Sequence, residues 1–103
     1  MSKVNLITSE AALKELIANN KKVLIDFKAD WCGPCKMFHP ILEDFATKSS
    51  GITIAQIDVD KNPELASKYN VMSIPSLRLL ENGHLVKESS GFMPLAQLED
   101  WVK

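Results

Sequence analysis

The sequence predicts an α/β fold, with a central mixed β-sheet of four to five strands flanked by helices on both faces. Three observations predict it. Val23-Leu24-Ile25-Asp26-Phe27 is a near-continuous apolar run, the pattern of a strand covered on both sides, and the β-branched stretch from Ile52 to Val59 reads as another interior strand. Helix-periodic sequence lies between them, so the pair reads as a crossover unit. Asn82-Gly83 is the strongest hairpin signal, because both residues accept positive φ, and a hairpin brings antiparallel strands into the sheet.

The elements follow in order. A short strand is expected ahead of the first helix. Thr8 and Ser9 are N-cap candidates with Glu10 in the first turn, and Leu13, Leu16 and Ile17 follow at helical spacing. Asn19-Asn20 ends that helix, and Lys22 to Lys28 forms the next strand, with Asp26 as its anomaly. Met37, Phe38, Ile41, Leu42 and Phe45 make the apolar side of a second helix, in which Pro40 should introduce a kink. Gly51 marks its exit, before the strand from Ile52 to Val59. Asn62-Pro63 starts a third helix, Asn62 as N-cap and Pro63 at the first helical position, running to about Asn70. Ser76 to Leu80 and Leu85 to Ser89 flank the hairpin turn. Pro94 opens a last helix with Leu95, Leu98 and Val102 towards the core.

A chain of 103 residues suits one domain over 1–103. A domain of that size buries roughly 65% of its unfolded surface, enough for one core. The net charge of -1 supplies no basic field for nucleic acid. No apolar run approaches the ~20 residues that span a bilayer, and Met1 to Leu6 lack the apolar centre of a signal peptide. A soluble, cytoplasmic monomer is therefore expected.

The only two cysteines, Cys32 and Cys35, stand two residues apart. A secreted scaffold uses more cysteines at wider spacing, and so short a loop adds little stability when closed. The pair therefore points to chemistry. Cys32 falls just before a helix start, whose free N–H groups favour a thiolate. Pro34 lies in the first turn, where a missing N–H costs nothing, and Lys36 adds positive charge. Cys35 faces the same side and can attack a mixed disulfide held on Cys32. A structural zinc site needs four ligands, but only His39, distant His84 and carboxylates remain, so no metal is expected.

The segment Ile25-Asp26-Phe27-Lys28-Ala29-Asp30-Trp31-Cys32-Gly33-Pro34-Cys35-Lys36 resembles the active-site segment of the thioredoxin family. Pro40, Asp60, Asn62-Pro63, Tyr69, Ile74-Pro75-Ser76, Asn82-Gly83 and Gly91 fall where that family has counterparts, so the similarity covers essentially the whole chain. The resemblance implies the thioredoxin fold and a thiol–disulfide oxidoreductase that reduces protein disulfides. Cys32 would attack, Cys35 would resolve, and Asp26 beneath them would accept the Cys35 proton. Burial of Asp26 in a covered strand supports that last role, since desolvation raises a carboxylate pKa towards the working pH. Pro75 would be a cis-proline, leaving Ile74 backbone groups open to an extended client strand. Trp31, Ile74, Gly91 and Phe92 would form an apolar rim around Cys32, beside Gly33 and Pro34. The Gly-Pro dipeptide between the cysteines suggests a reductant rather than an oxidase or isomerase.

Three residues depart from the family pattern. Lys28 replaces an aromatic residue, Gln56 replaces a lysine that some bacterial members carry near the buried acid, and Phe92 replaces a smaller residue. Residues 26 and 28 share a strand face, so two readings of Lys28 stand: its ammonium approaches Asp26 as the missing cation, or it stays in water at the end of the strand. Lys28, Lys36, Gln56 and Asp60 are thus candidate tuning residues, whereas His39 reads as a helix-surface side chain. Recycling would use an NADPH-dependent thioredoxin reductase. This chain carries no G-x-G-x-x-G, so its expected redox group is only the Cys32–Cys35 disulfide. The alternative from another class is a binding subunit of a larger complex, its cysteines incidental.

Overall fold

The computed structural model describes residues 3–103. Its elements are β1 (Val4–Ile7), α1 (Glu10–Ala18), β2 (Lys22–Lys28), α2 (Gly33–Lys48), β3 (Thr53–Asp58), α3 (Pro63–Lys68), β4 (Ser76–Glu81), β5 (His84–Ser90) and α4 (Leu95–Trp101). The strands form one sheet in the order β1-β3-β2-β4-β5. β1, β3 and β2 run parallel, while β4 and β5 add on antiparallel. This is the expected mixed sheet with helices on both faces, and it has five strands, the upper of the four to five expected.

Alternation along β2 divides the core in two. Leu24 packs with Phe38, Leu42 and Phe45 of α2 and Leu98 of α4. Val23, Ile25 and Phe27 point the other way, towards Leu13 of α1 and Leu65 of α3. Each such side chain contributes roughly 1.5–3 kcal/mol when fully buried. α2 runs unbroken through Pro40. Its apolar residues recur at helical spacing and keep one face on the sheet.

Local chemistry sets the element ends. Ser9 caps α1 by accepting the Ala12 N–H at 3.1 Å. Asn82 and Gly83 turn the β4–β5 hairpin with φ of 51° and 81°, the pair of positive values that a two-residue turn requires. α3 is shorter than expected, ending at Lys68, because Asn70 leaves the helix with φ of 54°. Asn62 occupies the N-cap position, but its side chain makes no cap bond. Its amide instead donates to the Asp58 carbonyl at 3.1 Å. Asp58 Oδ1 accepts from the Asp60 and Lys61 N–H groups at 2.9 and 3.3 Å, which folds the turn after β3.

One buried cation was not anticipated. Arg78 of β4 is enclosed by the carbonyls of Tyr69, Asn70 and Leu77 and the Ser76 hydroxyl, at 2.7–3.3 Å. Its Nε lies 3.6 Å from Glu88 Oε2. The guanidinium thus ties the start of the α3–β4 connection to the sheet, five residues ahead of Pro75.

Candidate active site

β2 runs into Ala29, and the chain turns through Asp30 and Trp31 to the first turn of α2. Cys32 is the N-cap of that helix, with extended backbone angles. Its Sγ accepts the Cys35 N–H at 3.2 Å, taking one of the donors that a helix start leaves open. A helix N-terminus stabilises negative charge, so the same position favours a thiolate once the pair is reduced. Here the two sulfurs are joined as a disulfide, with Cα atoms 5.2 Å apart. Cys32 and Cys35 are only 3% and 5% exposed, so an incoming group must approach along a defined surface.

That surface is an apolar groove of about 430 Å³ beside Cys32, walled by Trp31, Gly33, Pro34, Val59, Ala66, Val71, Met72, Ser73 and Ile74. Trp31 is 70% exposed, yet its indole N–H donates to Asp60 Oδ2 at 2.8 Å. Asp60 thereby bridges the turn after β3 and the turn before α2. On the facing wall the Ile74–Pro75 bond is cis, and the Ile74 carbonyl lies 3.8 Å from Cys32 Sγ. The Gly91 N–H donates to the Pro75 carbonyl at 2.7 Å.

The four residues expected to rim Cys32 divide between this groove and the segment beyond the cis bond. Trp31 and Ile74 line it, but Gly91 and Phe92 do not. Gly91 is spent on Pro75, and the Phe92 ring turns edge-on to Phe38 of α2, centroids 6.2 Å apart. Sequence reasoning passed over Val59, Ala66, Val71, Met72 and Ser73 as groove residues. Their signal was adjacency: three of them immediately precede Ile74-Pro75, and Met72 is 93% exposed despite being apolar.

Behind the cysteines, Asp26 is 2% exposed. It pairs across the sheet with Gln56 of β3 and Leu77 of β4. Asp26 Oδ2 accepts the Gln56 side-chain N–H at 3.0 Å, while Oδ1 is buried with no hydrogen-bond partner among the described residues. Burial pushes the Asp26 pKa up from 3.8 to about 6, against the opposing pull of the Gln56 bond, then of His39 and Lys28. A charge taken out of water favours its neutral form, and here that effect exceeds the single hydrogen bond.

Of the two readings of Lys28, the structure favours the lysine that turns away from Asp26 at the strand end. Its ammonium lies 2.8 Å from Asp30 and 3.6 Å from Asp58, and it is the smallest of the influences on the acid. A lysine near a strand end reaches outward, and the adjoining turn and β3 supply two carboxylates there. Gln56 is the residue that meets Asp26 directly. A second, polar pocket joins Lys28, Ala29, Asp30, Cys35, Lys36, His39 and Gln56. It connects the Cys35 side of the disulfide with the partner of the buried acid. His39 is exposed, but it is not merely a surface residue: its Nδ1 lies 3.3 Å from Gln56 Nε2.

Residues 4–103 match the family model described as Thioredoxin. The chain belongs to the thioredoxin family. A thioredoxin from Alicyclobacillus acidocaldarius is 45% identical over 92 residues, covering 88% of each chain. The chain is also 43% identical over 86 residues to a bifunctional thioredoxin reductase/thioredoxin of Mycobacterium leprae, covering 82% of this chain and 19% of that protein. Among solved structures, a mutant thioredoxin from Halobacterium salinarum superposes with a TM-score of 0.92 at 36% identity, over 99% of this chain and 91% of that one. Membership together with the Cys32–Cys35 disulfide makes this chain a thiol–disulfide oxidoreductase, a protein-disulfide reductase. Thioredoxins carry their redox equivalents in that disulfide and need no external cofactor. Among the described residues no cluster of three or more His, Cys, Asp or Glu side chains is placed to hold a metal. No helix among them is long and apolar enough to cross a membrane.

Proposed function

We propose that the protein reduces client disulfides with Cys32 as nucleophile, Cys35 as resolving thiol and Asp26 as acceptor of the Cys35 proton. In the first step the Cys32 thiolate attacks one client sulfur. A Cys32–client disulfide forms, the client S–S bond breaks, and the second client sulfur leaves as a thiolate. In the next step Cys35 gives its proton to Asp26 and attacks Cys32 Sγ. The internal disulfide forms, and the remaining client sulfur leaves. Two electrons pass to the client, and the chain ends in the oxidised form described above.

The observation that carries this reading is the placement of Cys32 Sγ. It accepts the Cys35 N–H in the first turn of α2 and lies beside the Ile74 carbonyl at the edge of the groove. Main-chain groups at Ile74 suit an extended client segment, and Trp31, Gly33, Pro34 and Met72 offer apolar contact to its side chains. Gly91 and Phe92 would flank the client beyond the cis bond. The partnerless Oδ1 of Asp26 and its raised pKa suit a group that takes up a proton near neutral pH. Lys36, Lys28 and Gln56 would tune the charge around Cys35 and Asp26, and Asp60 would hold Trp31.

Electrons would return from an NADPH-dependent thioredoxin reductase, making the chain a monomeric electron carrier of the cytoplasm. The fused reductase and thioredoxin of Mycobacterium leprae supports that partnership. Insulin-reduction turbidity tests the assignment. Cys32→Ser should abolish reduction, and Cys35→Ser should accumulate a client mixed disulfide. Reduction retained by Cys32→Ser would overturn it.

A further inference from the structure

The polar pocket beside Cys35 holds one side chain that the exchange leaves unused, His39, one turn along α2 from Cys35. Gln56 Nε2 donates to Asp26 Oδ2 at 3.0 Å and lies 3.3 Å from His39 Nδ1, so one nitrogen serves both neighbours. We propose that His39 is a positioning residue that locks the Gln56 amide with its NH₂ towards Asp26, and so sets how tightly Asp26 holds its proton. The consequence for catalysis rests on the reading of Asp26 as proton acceptor.

The argument is one of donors and acceptors. An amide nitrogen only donates, and an ionised carboxylate only accepts. A nitrogen facing both Asp26 and His39 therefore requires His39 Nδ1 to accept, with the ring proton on Nε2. That proton has a partner, because His39 Nε2 lies 3.4 Å from Glu43 Oε2. Glu43, His39, Gln56 and Asp26 thus form a chain that diverges from the Gln56 amide, which donates to Asp26 on one side and to His39 on the other, while His39 donates on to Glu43. Turning the amide over would place its oxygen against both neighbours. That arrangement suits a protonated Asp26, but it faces the lone pair of His39 Nδ1 and is disfavoured. Without His39 the amide answers to Asp26 alone and is free to accept from a protonated carboxyl. The other charged groups at the pocket are Lys36 on the same helix, Lys28 from β2 and Asp30 from the turn that follows. Lys28 is held by Asp30 and Asp58.

The test is a pH titration of the Asp26 carboxyl by ¹³C NMR on the full oxidised chain, in which the cysteines do not titrate. His39→Ala should raise the Asp26 midpoint by about half a pH unit or more, a roughly threefold gain in proton affinity. His39→Asn, which keeps an acceptor near the Nδ1 position, should stay close to the original midpoint. In a Gln56→Ala background, His39→Ala should cause no further change. An equal rise in both backgrounds would mean that the imidazole acts through space, and would overturn the lock. So would no rise in either. The pH profile of insulin reduction by Asp26→Asn is read separately. A profile unchanged from the parent would remove Asp26 as proton acceptor while leaving the titration result on His39 intact.

Discussion

Asp60 Oδ2 and the Trp31 indole nitrogen are 2.8 Å apart and join the two turns that leave the C-terminal ends of the neighbouring parallel strands β2 and β3. Asp60 itself is placed by the Asp58 side chain, which accepts its N–H. An exposed tryptophan in the groove wall is therefore held in one orientation rather than left to sweep its rotamers.

Asp60→Ala should loosen that ring with little loss of stability, because an exposed neutral-donor hydrogen bond contributes about 0.5–1.5 kcal/mol at most. The expected result is a rise in KM for insulin of about two- to fivefold with kcat nearly unchanged, the pattern of lost uniform binding. Steady-state turbidity kinetics check the split, and Trp31 fluorescence anisotropy should fall.

Asp26 sets a stability gradient whose sign follows from its raised pKa. Between its ordinary value of 3.8 and about 6, the folded chain keeps a proton that the unfolded chain has lost. Stability therefore falls as pH rises through that window and levels off above it. The gap corresponds to about 3 kcal/mol in magnitude, so Asp26→Asn should raise the unfolding free energy at pH 8 by an amount of that order. The gain should shrink towards zero near pH 4. Urea unfolding at both pH values reads it.

Arg78→Met removes the donors that serve the Tyr69, Asn70 and Leu77 carbonyls. Unserved buried acceptors cost about 1–3 kcal/mol. Unfolding free energy should drop by that order, and Arg78→Lys should recover only part, since an ammonium lacks the planar fork. Amide exchange should quicken first in the stretch from Val71 to Ser73.

Met72 is an exposed apolar side chain on the groove. Met72→Glu should weaken clients with apolar flanks, raising KM about three- to tenfold, while free dithiol chemistry with a small disulfide stays unchanged. Comparing insulin with a small aromatic disulfide separates the two.

Much of this site was legible in the sequence, and what was not has a physical reason. The bounds of β2 follow from its unbroken apolar run, and the place of Cys32 follows from a proline in the first helical turn. Asp26 stands out as a charge in a covered strand. The failures concern long side chains and loops. Strand alternation puts Lys28 and Asp26 on one face, but the lysine's destination depends on Asp30 and Asp58, which only the folded turns bring near. His39 sits on a helix whose pattern marks it as outward, and its contact with Gln56 needs the packing of α2 on β3.

β2 sends Leu24 into one core and Val23, Ile25 and Phe27 into the other, then leads directly to the sulfurs, while α2 leaves them with Phe38 and Phe45 fully embedded. The reactive bond is thus the tip of a mount bolted into both layers of the molecule. Opening or closing it alters two atoms at the end of that mount and leaves the mount standing. Each client disulfide that reaches the pair therefore meets a contour set by the two cores and not by the loop that carries the sulfurs.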